Sequence, residues 1–375
     1  MILILINIPL VIKATNLNTK LIEEQEQTFG INSFLKESKK YSGEFFDGIN
    51  ISDLFTSAIS GKVNNSLLGK RVLNLLGNEV KDAIKTLASV LVIIIIHSIL
   101  KALTDNLNKS GISKIVYYME YILIVSLIME NFADIINTTT NTINNMTGFM
   151  NSLIPLLTTL MIYTGSIATS GIIQPIILFV IEFVGNIISN LILPCVSLIA
   201  AILIISKLSD KVQISKLATF MKSSVIWVLG IILTAFVGIV SLEGTLSSSV
   251  DGISAKTAKA AVSSLIPIVG KILGDAVDTV LGCSLVLKNA IGIVGVLIII
   301  GICIMPIIKL TILSIMYSLA SSIIEPLADE KIVKLLGEMS GIFKLLLAIL
   351  CSISVLLIIG ITLTIKISNS GMMYR

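Results

Sequence analysis

The chain is too apolar for a soluble globular protein. Its 375 residues have a mean hydropathy of +0.99, with 55% hydrophobic and 13% charged residues, whereas charged residues make up about 25% of an average soluble domain. The net charge of +4 is too small to indicate a nucleic-acid partner, and a small basic excess is typical of the cytoplasmic loops of membrane proteins. We therefore expect an all-α, polytopic membrane helix bundle whose main environment is the lipid bilayer.

The sequence lacks the common signatures of catalysis and cofactor binding. It has no G-x-x-x-x-G-K-[ST] segment for a nucleotide, and its single histidine excludes an H-E-x-x-H zinc site. The cysteines lie in apolar segments without C-x-x-C spacing, which favours buried free thiols over a disulfide framework or a zinc site; they are Cys195, Cys283, Cys303 and Cys351. We also find no serine or cysteine nucleophile constellation. The expectation is a protein without catalytic residues, metal or cofactor.

The N-terminal part divides into two segments. Residues 1–12, "MILILINIPLVI", are too short to span a membrane and resemble the apolar core of a signal peptide, although a basic segment before it is missing. They are either an export signal, which we favour, or a short interfacial anchor. Residues 13–85 contain ten basic and nine acidic residues. This composition predicts a partly helical extracytoplasmic region that is too polar to hold a large core alone.

A multi-span membrane domain is expected over residues 86–370. The apolar stretch 172–206 would run about 52 Å as a helix, beyond the ~30 Å hydrocarbon core, so it is expected to break near Pro194. Helix breaks are likewise expected at Pro155, Pro267 and Pro306. Further spans are expected at 86–103, 115–133, 146–164, 220–242, 289–305, 306–324 and 342–366.

Loop charges predict the orientation of these spans. The loops 101–114 and 207–222 contain three and four lysines against one aspartate each, whereas the connection around Glu130 and Asp134 contains no basic residue. The positive-inside rule places the two basic loops in the cytoplasm. Residues 13–85 then lie outside, in agreement with an export signal.

Short matches in order along the chain predict an internal duplication. "SLIP" occurs at 152–155 and again at 264–267, and the same offset of 112 residues relates Pro194 to Pro306. A third pair of similar segments follows after a short insertion. The predicted units are residues 150–242 and 263–366.

The segment 263–288 carries charge in otherwise apolar surroundings. Lys271, Asp275 and Asp278 would share one face of a helix, because they are four and three residues apart. One interpretation is a short or re-entrant helix that lines an aqueous path. Lys288, ten residues after Asp278, is a further candidate for lining this path. The other interpretation is that residues 245–288 form an interfacial, amphipathic helix pair that does not cross the membrane. Small residues suited to close helix contact lie in and after this segment, at Gly270, Gly274, Gly292 and Gly295.

Two more polar residues occur within apolar stretches. His97 is isolated in "VIIIIHSIL", and Glu182 is the one acidic residue of 172–206. An ionisable residue inside a membrane segment is a functional hypothesis by default. Both are therefore candidates for water-lining or ion sites, with hydrogen bonding or charge pairing to another helix as the structural alternative.

Four segments together resemble the stage III sporulation protein AE family. They are "GIVSLEG" (238–244), "VDGISAKTAK" (250–259), "LIPIVGKILGDAVDTV" (265–280) and "SLVLKNAIGIVGV" (284–296). The similarity extends over roughly 86–370 and is weak before residue 86.

The resemblance implies a role in endospore formation. Members of this family act in the mother-cell membrane around the forespore, with other stage III proteins and a forespore-side partner, in a channel complex needed for forespore development after engulfment. The family supplies no established catalytic residue. A stand-alone secondary transporter, coupled to an ion through Asp275, Asp278 or Glu182, is the alternative that the buried acids and the duplication also suit. A membrane enzyme ranks below both.

Overall fold

The computed structural model describes the backbone of residues 19–61, 65–105, 110–208, 214–265 and 269–370. Within these ranges, the structure describes the backbone but not the side chains of residues 19–20, 44, 65–68, 78, 97, 100–105, 110–114, 116, 242–265, 269–278 and 367–370.

All regular secondary structure in the described chain is helical, as expected for an all-α fold. Three short helices come first: α1 (Thr19–Thr28), α2 (Ile31–Ser38) and α3 (Ile51–Ile59), with a 3₁₀ turn at Glu44–Phe46 between the last two. Long helices follow: α4 (Asn65–Asp105), α5 (Ser110–Tyr163), α6 (Ile167–Ile187), a π-helical segment (Ile188–Ile192), α7 (Leu193–Leu208), α8 (Ser215–Leu265), α9 (Val269–Ile324) and α10 (Glu330–Ser370).

Four described segments are long and apolar enough to cross a membrane. They are Ile167–Leu208, Ser215–Ser241, Thr279–Ile324 and Glu330–Lys366. The expectation of a membrane helix bundle is thereby confirmed.

Two pairs of predicted spans belong to single helices. The spans 115–133 and 146–164 both lie in α5, and 289–305 and 306–324 both lie in α9. The breaks predicted at Pro155 and Pro306 are therefore wrong, because each helix continues through its proline. A proline removes one backbone hydrogen bond, which neighbouring helices offset in a packed membrane bundle. Around Pro155 that packing is complete, since Leu153, Ile154 and Leu157 are fully buried.

The chain is distorted near Pro194 without a break. The π-helical segment Ile188–Ile192 ends two residues before this proline, and the helical path continues from Ile167 to Leu208. The predicted interruption is thus a local widening of one helix, so the two separate spans expected in 172–206 are not present. Pro267 lies outside the described residues, and the duplication of 150–242 and 263–366 stays a prediction.

A glycine turn ends α5. Gly165 has φ of 86°, a left-handed conformation that glycine adopts without steric cost. Its backbone N–H donates to the carbonyl of Ile162, and that of Ser166 donates to Met161. This Schellman arrangement satisfies the last carbonyls of α5 and turns the chain back into α6.

The long helices pack side by side in alternating directions. In the α9–α10 hairpin the Ser340 hydroxyl donates to the carbonyl of Ser314, and the Ser321 hydroxyl donates to that of Val333. The helical path α6–α7 returns along α5, because Thr158 bonds Gln174 near one end and Tyr121 bonds the carbonyl of Ile204 near the other.

The N-terminal helices pack directly onto this bundle. The rings of Phe29 and Tyr163 lie 4.6 Å apart between centroids, and residues such as Ile31 and Phe34 belong to the same buried core as the long helices. This segment therefore gains its core from the bundle. Its extracytoplasmic location stays a prediction, and residues 1–12 lie outside the described chain.

Candidate functional site: a polar face on the membrane bundle

The middle of α5 is unusually polar for a helix in an apolar bundle. It reads "NFADIINTTTNTINNMTGFMNS" from Asn131 to Ser152. Asparagine and threonine compete for backbone hydrogen bonds and are poor helix formers. The threonines are accommodated because hydroxyls such as those of Thr139 and Thr142 donate to carbonyls four residues earlier, at 2.7 Å in both cases. Asn131 likewise donates to the carbonyl of Leu127, at 3.0 Å.

The asparagines of this segment share one side of α5. Their spacing of three and four residues places them on one helical face, while the opposite face, with Ile135, Ile143 and Met146, is buried. The exposed residues are Asp134, Asn137, Asn141, Asn144 and Asn145.

Helix α6 and the π-helical segment after it continue this surface. Glu182, Asn186 and Asn190 follow one another at intervals of four residues and are exposed. The Asn190 amide donates to the side-chain oxygen of Asn186. We call the eight exposed residues of α5, α6 and the π-helical segment the polar face: Asp134, Asn137, Asn141, Asn144, Asn145, Glu182, Asn186 and Asn190.

A glycine and a hydrogen bond hold α5 and α6 together here. A Cβ atom on Gly185 would lie 2.9 Å from Oγ1 of Thr147, so glycine permits the close approach of the two helices. The Asn151 amide, on α5, donates a 2.5 Å hydrogen bond to Oε1 of Glu182. The two parts of the polar face are therefore neighbours.

The polar face lies beside and within the apolar candidate spans. The Ser354 hydroxyl of α10 donates to the sulfur of Met146 at 3.6 Å, and Ser354 is within the candidate span Glu330–Lys366. Leu153 packs against Gly295 of α9, which is also within a candidate span. A carboxylate at the bilayer centre costs about 2.5–3.5 kcal/mol on insertion scales. Lipid is therefore an unfavourable neighbour for this face.

Another surface of the bundle suits lipid. Helix α8 exposes large apolar side chains at Phe220, Ile226, Trp227 and Ile231. The contrast between α8 and the polar face gives the bundle two chemically different sides.

An open groove of about 470 Å³ adjoins the polar face. Aromatic and aliphatic side chains line it together with the carboxylate and two carboxamides. The lining residues are Phe179, Glu182, Phe183, Asn186, Ile187, Asn190 and Leu191.

An ion pair bounds the polar face on the α9 side. Lys309 contacts Asp134 at 2.6 Å, and the Asn131 amide donates to the hydroxyl of Tyr317 at 3.0 Å. These contacts join α5 to α9. Within the described residues, no three His, Cys, Asp or Glu side chains come together as a metal site would require.

A second polar cluster joins the helices at the end where α7 finishes. Lys207 pairs with Glu338 of α10 at 2.9 Å. The Tyr117 hydroxyl donates to the carbonyl of Lys207 at 3.4 Å, so it helps to satisfy the last turn of α7. This cluster connects α5, α7 and α10 and is structural in character.

The structure places the predicted site residues in different environments. Glu182 belongs to the polar face, and Lys288 is fully buried in α9 with 0% exposure. Lys288 is thus a polar residue of the bundle interior and does not line an open surface. Around the predicted packing glycines, Ile365 lies against Gly292 and Leu153 against Gly295.

Other predicted residues lie outside the described side chains. The backbone of His97 is within α4, and that of the 269–278 segment forms the first turns of α9. The 269–278 segment contains Gly270, Lys271, Gly274, Asp275 and Asp278. Because α9 runs unbroken from Val269 to Ile324, these residues belong to the same helix as the candidate span Thr279–Ile324. Both interpretations of this segment, a lining of an aqueous path and an interfacial position, stay predictions.

Sequence reasoning missed the asparagines of α5. It treated the segment after Glu130 as a connection between two spans. The available signal was the spacing of four, three and seven residues between Asn137, Asn141, Asn144 and Asn151, which a helix gathers on one side.

Comparison with known proteins identifies the family. The family model described as stage III sporulation protein AE matches residues 49–368. The stage III sporulation protein AE of Bacillus subtilis (strain 168) is 32% identical over 306 residues, which cover 82% of this chain and 77% of that protein. No solved structure matches the chain. The match over most of the helical bundle shows that the chain belongs to the stage III sporulation protein AE family.

Proposed function

We propose that this chain is a membrane subunit of the sporulation channel complex that links mother cell and forespore. It acts in the mother-cell membrane around the forespore, with other stage III proteins and a forespore-side partner, and forespore development after engulfment depends on it. The role is that of a structural or conducting subunit without catalytic residues. Family membership supports the sporulation role, and the location and partners belong to the proposal.

The polar face is the structural observation that carries this proposal. It presents exposed carboxamides and a carboxylate alongside apolar candidate spans, and Glu182 lies within one of them, Ile167–Leu208. Such groups require water or protein beside them, since the hydrocarbon core offers no hydrogen-bond partners. A subunit of a larger assembly has such neighbours.

The same observation weighs against a self-sufficient transporter. Transporters of that kind bind substrate and ion near the bilayer midplane, at the interface between their own repeats. Here the described interior around α9 is largely apolar: Ile291, Val294 and Ile298 are fully buried, and Lys288 is a buried polar exception. The hydrogen-bonding surface lies instead on the outside of the bundle, which favours contact with something else.

Co-purification from sporulating cells tests the proposal. The tagged full-length chain is extracted in mild detergent, and the co-purifying proteins are identified by mass spectrometry. We expect other stage III sporulation proteins in the eluate of the unaltered chain.

Matched variants connect this result to the polar face. Asn141→Leu with Asn186→Leu removes two exposed carboxamides, and Thr234→Val removes an exposed α8 hydroxyl that bonds its own helix. The double variant should lose the partners, and Thr234→Val should keep them. If the unaltered chain elutes without stage III proteins and drives ion-gradient-dependent uptake alone in liposomes, the transporter is the correct function.

A further inference from the structure

We infer that the polar face, together with the aromatic pair Phe179 and Phe183 at its edge, is the contact surface for a second copy of this chain in the membrane. This goes beyond membership of a complex, because it concerns association of the purified chain with itself. The Asn141→Leu, Asn186→Leu variant would then lose its stage III partners through loss of this self-contact.

The acidic groups of the face already have partners within the chain. Asp134 pairs with Lys309 at 2.6 Å, and Glu182 accepts a hydrogen bond from Asn151. The outward chemistry of the face is therefore mainly that of carboxamides, with the exposed Glu182 carboxylate at its edge.

Carboxamides complement one another. Each asparagine side chain both donates and accepts hydrogen bonds, so a row of them matches a second, identical row. The described row consists of Asn137, Asn141, Asn144, Asn145, Asn186 and Asn190. Asparagine side chains are also known to link helices across membrane interfaces. An identical copy is thus the partner that the hydrogen-bonding pattern fits.

The aromatic pair distinguishes a protein contact from a water-filled path. The rings of Phe179 and Phe183 stack with centroids 5.7 Å apart, and their side chains are 67% and 50% exposed. Water is a poor neighbour for two exposed rings, and lipid is a poor neighbour for the Glu182 carboxylate beside them. A protein surface accommodates both, since aromatic anchors beside polar groups are typical of interfaces.

Membrane insertion restricts how two copies can meet. Copies of one sequence insert with the same orientation, so they are related by rotation about an axis along the membrane normal. Identical faces of neighbouring copies then turn towards that axis, as in closed cyclic assemblies. The long α5 and α6 helices would run along it.

The first test measures self-association of the purified full-length chain in nanodiscs or mild detergent. Native mass spectrometry across a concentration series compares Phe179→Ala with the control Phe220→Ala. The two rings are matched, at 67% and 69% exposed, but the control is on α8. We expect the unaltered chain to associate, Phe179→Ala to weaken association about tenfold or more, and Phe220→Ala to leave it unchanged.

The second test locates the contact. In a background where the four native cysteines are replaced by serine, Asn186→Cys should form cross-links between copies with a short bifunctional thiol reagent. Thr234→Cys on α8 should not. The mass measurements retain the native cysteines, so they stand even if the cysteine-free background fails to fold.

Three results would overturn the inference. They are a purified chain that stays monomeric at every concentration, equal weakening by Phe179→Ala and Phe220→Ala, and cross-linking through residue 234 in preference to 186. Association only with a different sporulation protein would give the first result. The proposed function fails separately, when the chain self-associates but co-purifies with no stage III protein.

Discussion

The Asn151 side chain of α5 donates a 2.5 Å hydrogen bond to the Glu182 carboxylate of α6. Glu182 is exposed and lies within the candidate span Ile167–Leu208, whereas Asn151 is half-buried. The bond holds the charged end of the polar face in place. It also joins α5 to α6 beside a carboxylate for which lipid is an unfavourable neighbour.

A double-mutant cycle measures this bond. We expect Asn151→Leu and Glu182→Leu, singly and together, to give a coupling free energy of about 0.6–1.7 kcal/mol, the range found for hydrogen bonds between membrane helices. The measurement is denaturant or thermal unfolding in detergent. Thr234→Val is the control, because that hydroxyl bonds only its own helix. A coupling energy of zero would show that the contact does not stabilise the α5–α6 pair.

The Lys207–Glu338 pair predicts a cost for removing one partner alone. The second carboxylate oxygen of Glu338 is buried and has no hydrogen-bond partner among the described residues, so Glu338 depends on Lys207. We expect Lys207→Met to lower the free energy of unfolding by about 1–3 kcal/mol, and Lys207→Met with Glu338→Gln to recover part of it. Lys334→Met removes an exposed pair within one helix and should have little effect. Equal effects of the two lysine substitutions would contradict this account.

Close packing of Phe46 on Gly301 predicts that the N-terminal helices depend on this glycine. A Cβ atom at Gly301 would lie 2.0 Å from Cε2 of Phe46, and Phe46 is buried. Gly301→Ala must displace the ring, at a cost of about 1–3 kcal/mol. Limited proteolysis should then cut residues 19–61 faster. Gly230→Ala is the control, since no heavy atom lies within 4 Å of a Cβ there; the idea fails if both variants resist protease equally.

Burial in α1 predicts a pH dependence for the N-terminal segment. Partial burial, and then the charge of Glu23, raises the pKa of Glu26 above its ordinary value. The folded state therefore holds this proton more tightly than the unfolded state, so stability falls as pH rises from the unfolded pKa to the folded one. Glu26→Gln should remove that loss. Hydrogen exchange of α1 between pH 4 and pH 7 measures it, and an unchanged pH profile in the variant would exclude Glu26 as the cause.

The acidic residues at the start of α9 carry the remaining prediction. If Asp275 and Asp278 line water in the assembly, Asp275→Asn with Asp278→Asn should block sporulation after engulfment and leave the membrane level of the protein normal. Asp82→Asn, an exposed acid in α4, is the control and should sporulate. Normal sporulation of the double variant would remove these residues from any water-lining role.

The sequence alone determined that this chain is a helical membrane protein and which family it resembles. Runs of apolar residues longer than the bilayer core leave the backbone only one way to satisfy its hydrogen bonds, which is a helix. The polar segments within 238–296 were specific enough to indicate the family, because such residues are rare in membrane chains.

Tertiary structure decided the helix boundaries and the polar face. Whether Pro155 and Pro306 end a helix depends on the packing around them, and local rules that favour a break do not contain that information. Gly165 ends α5 because its positive φ completes the turn. In the same way, Asn141 and Glu182 became a site only because α5 and α6 meet through Gly185 with these side chains outwards. The exposure of a side chain depends on which residues pack against it, and a single sequence does not specify those residues.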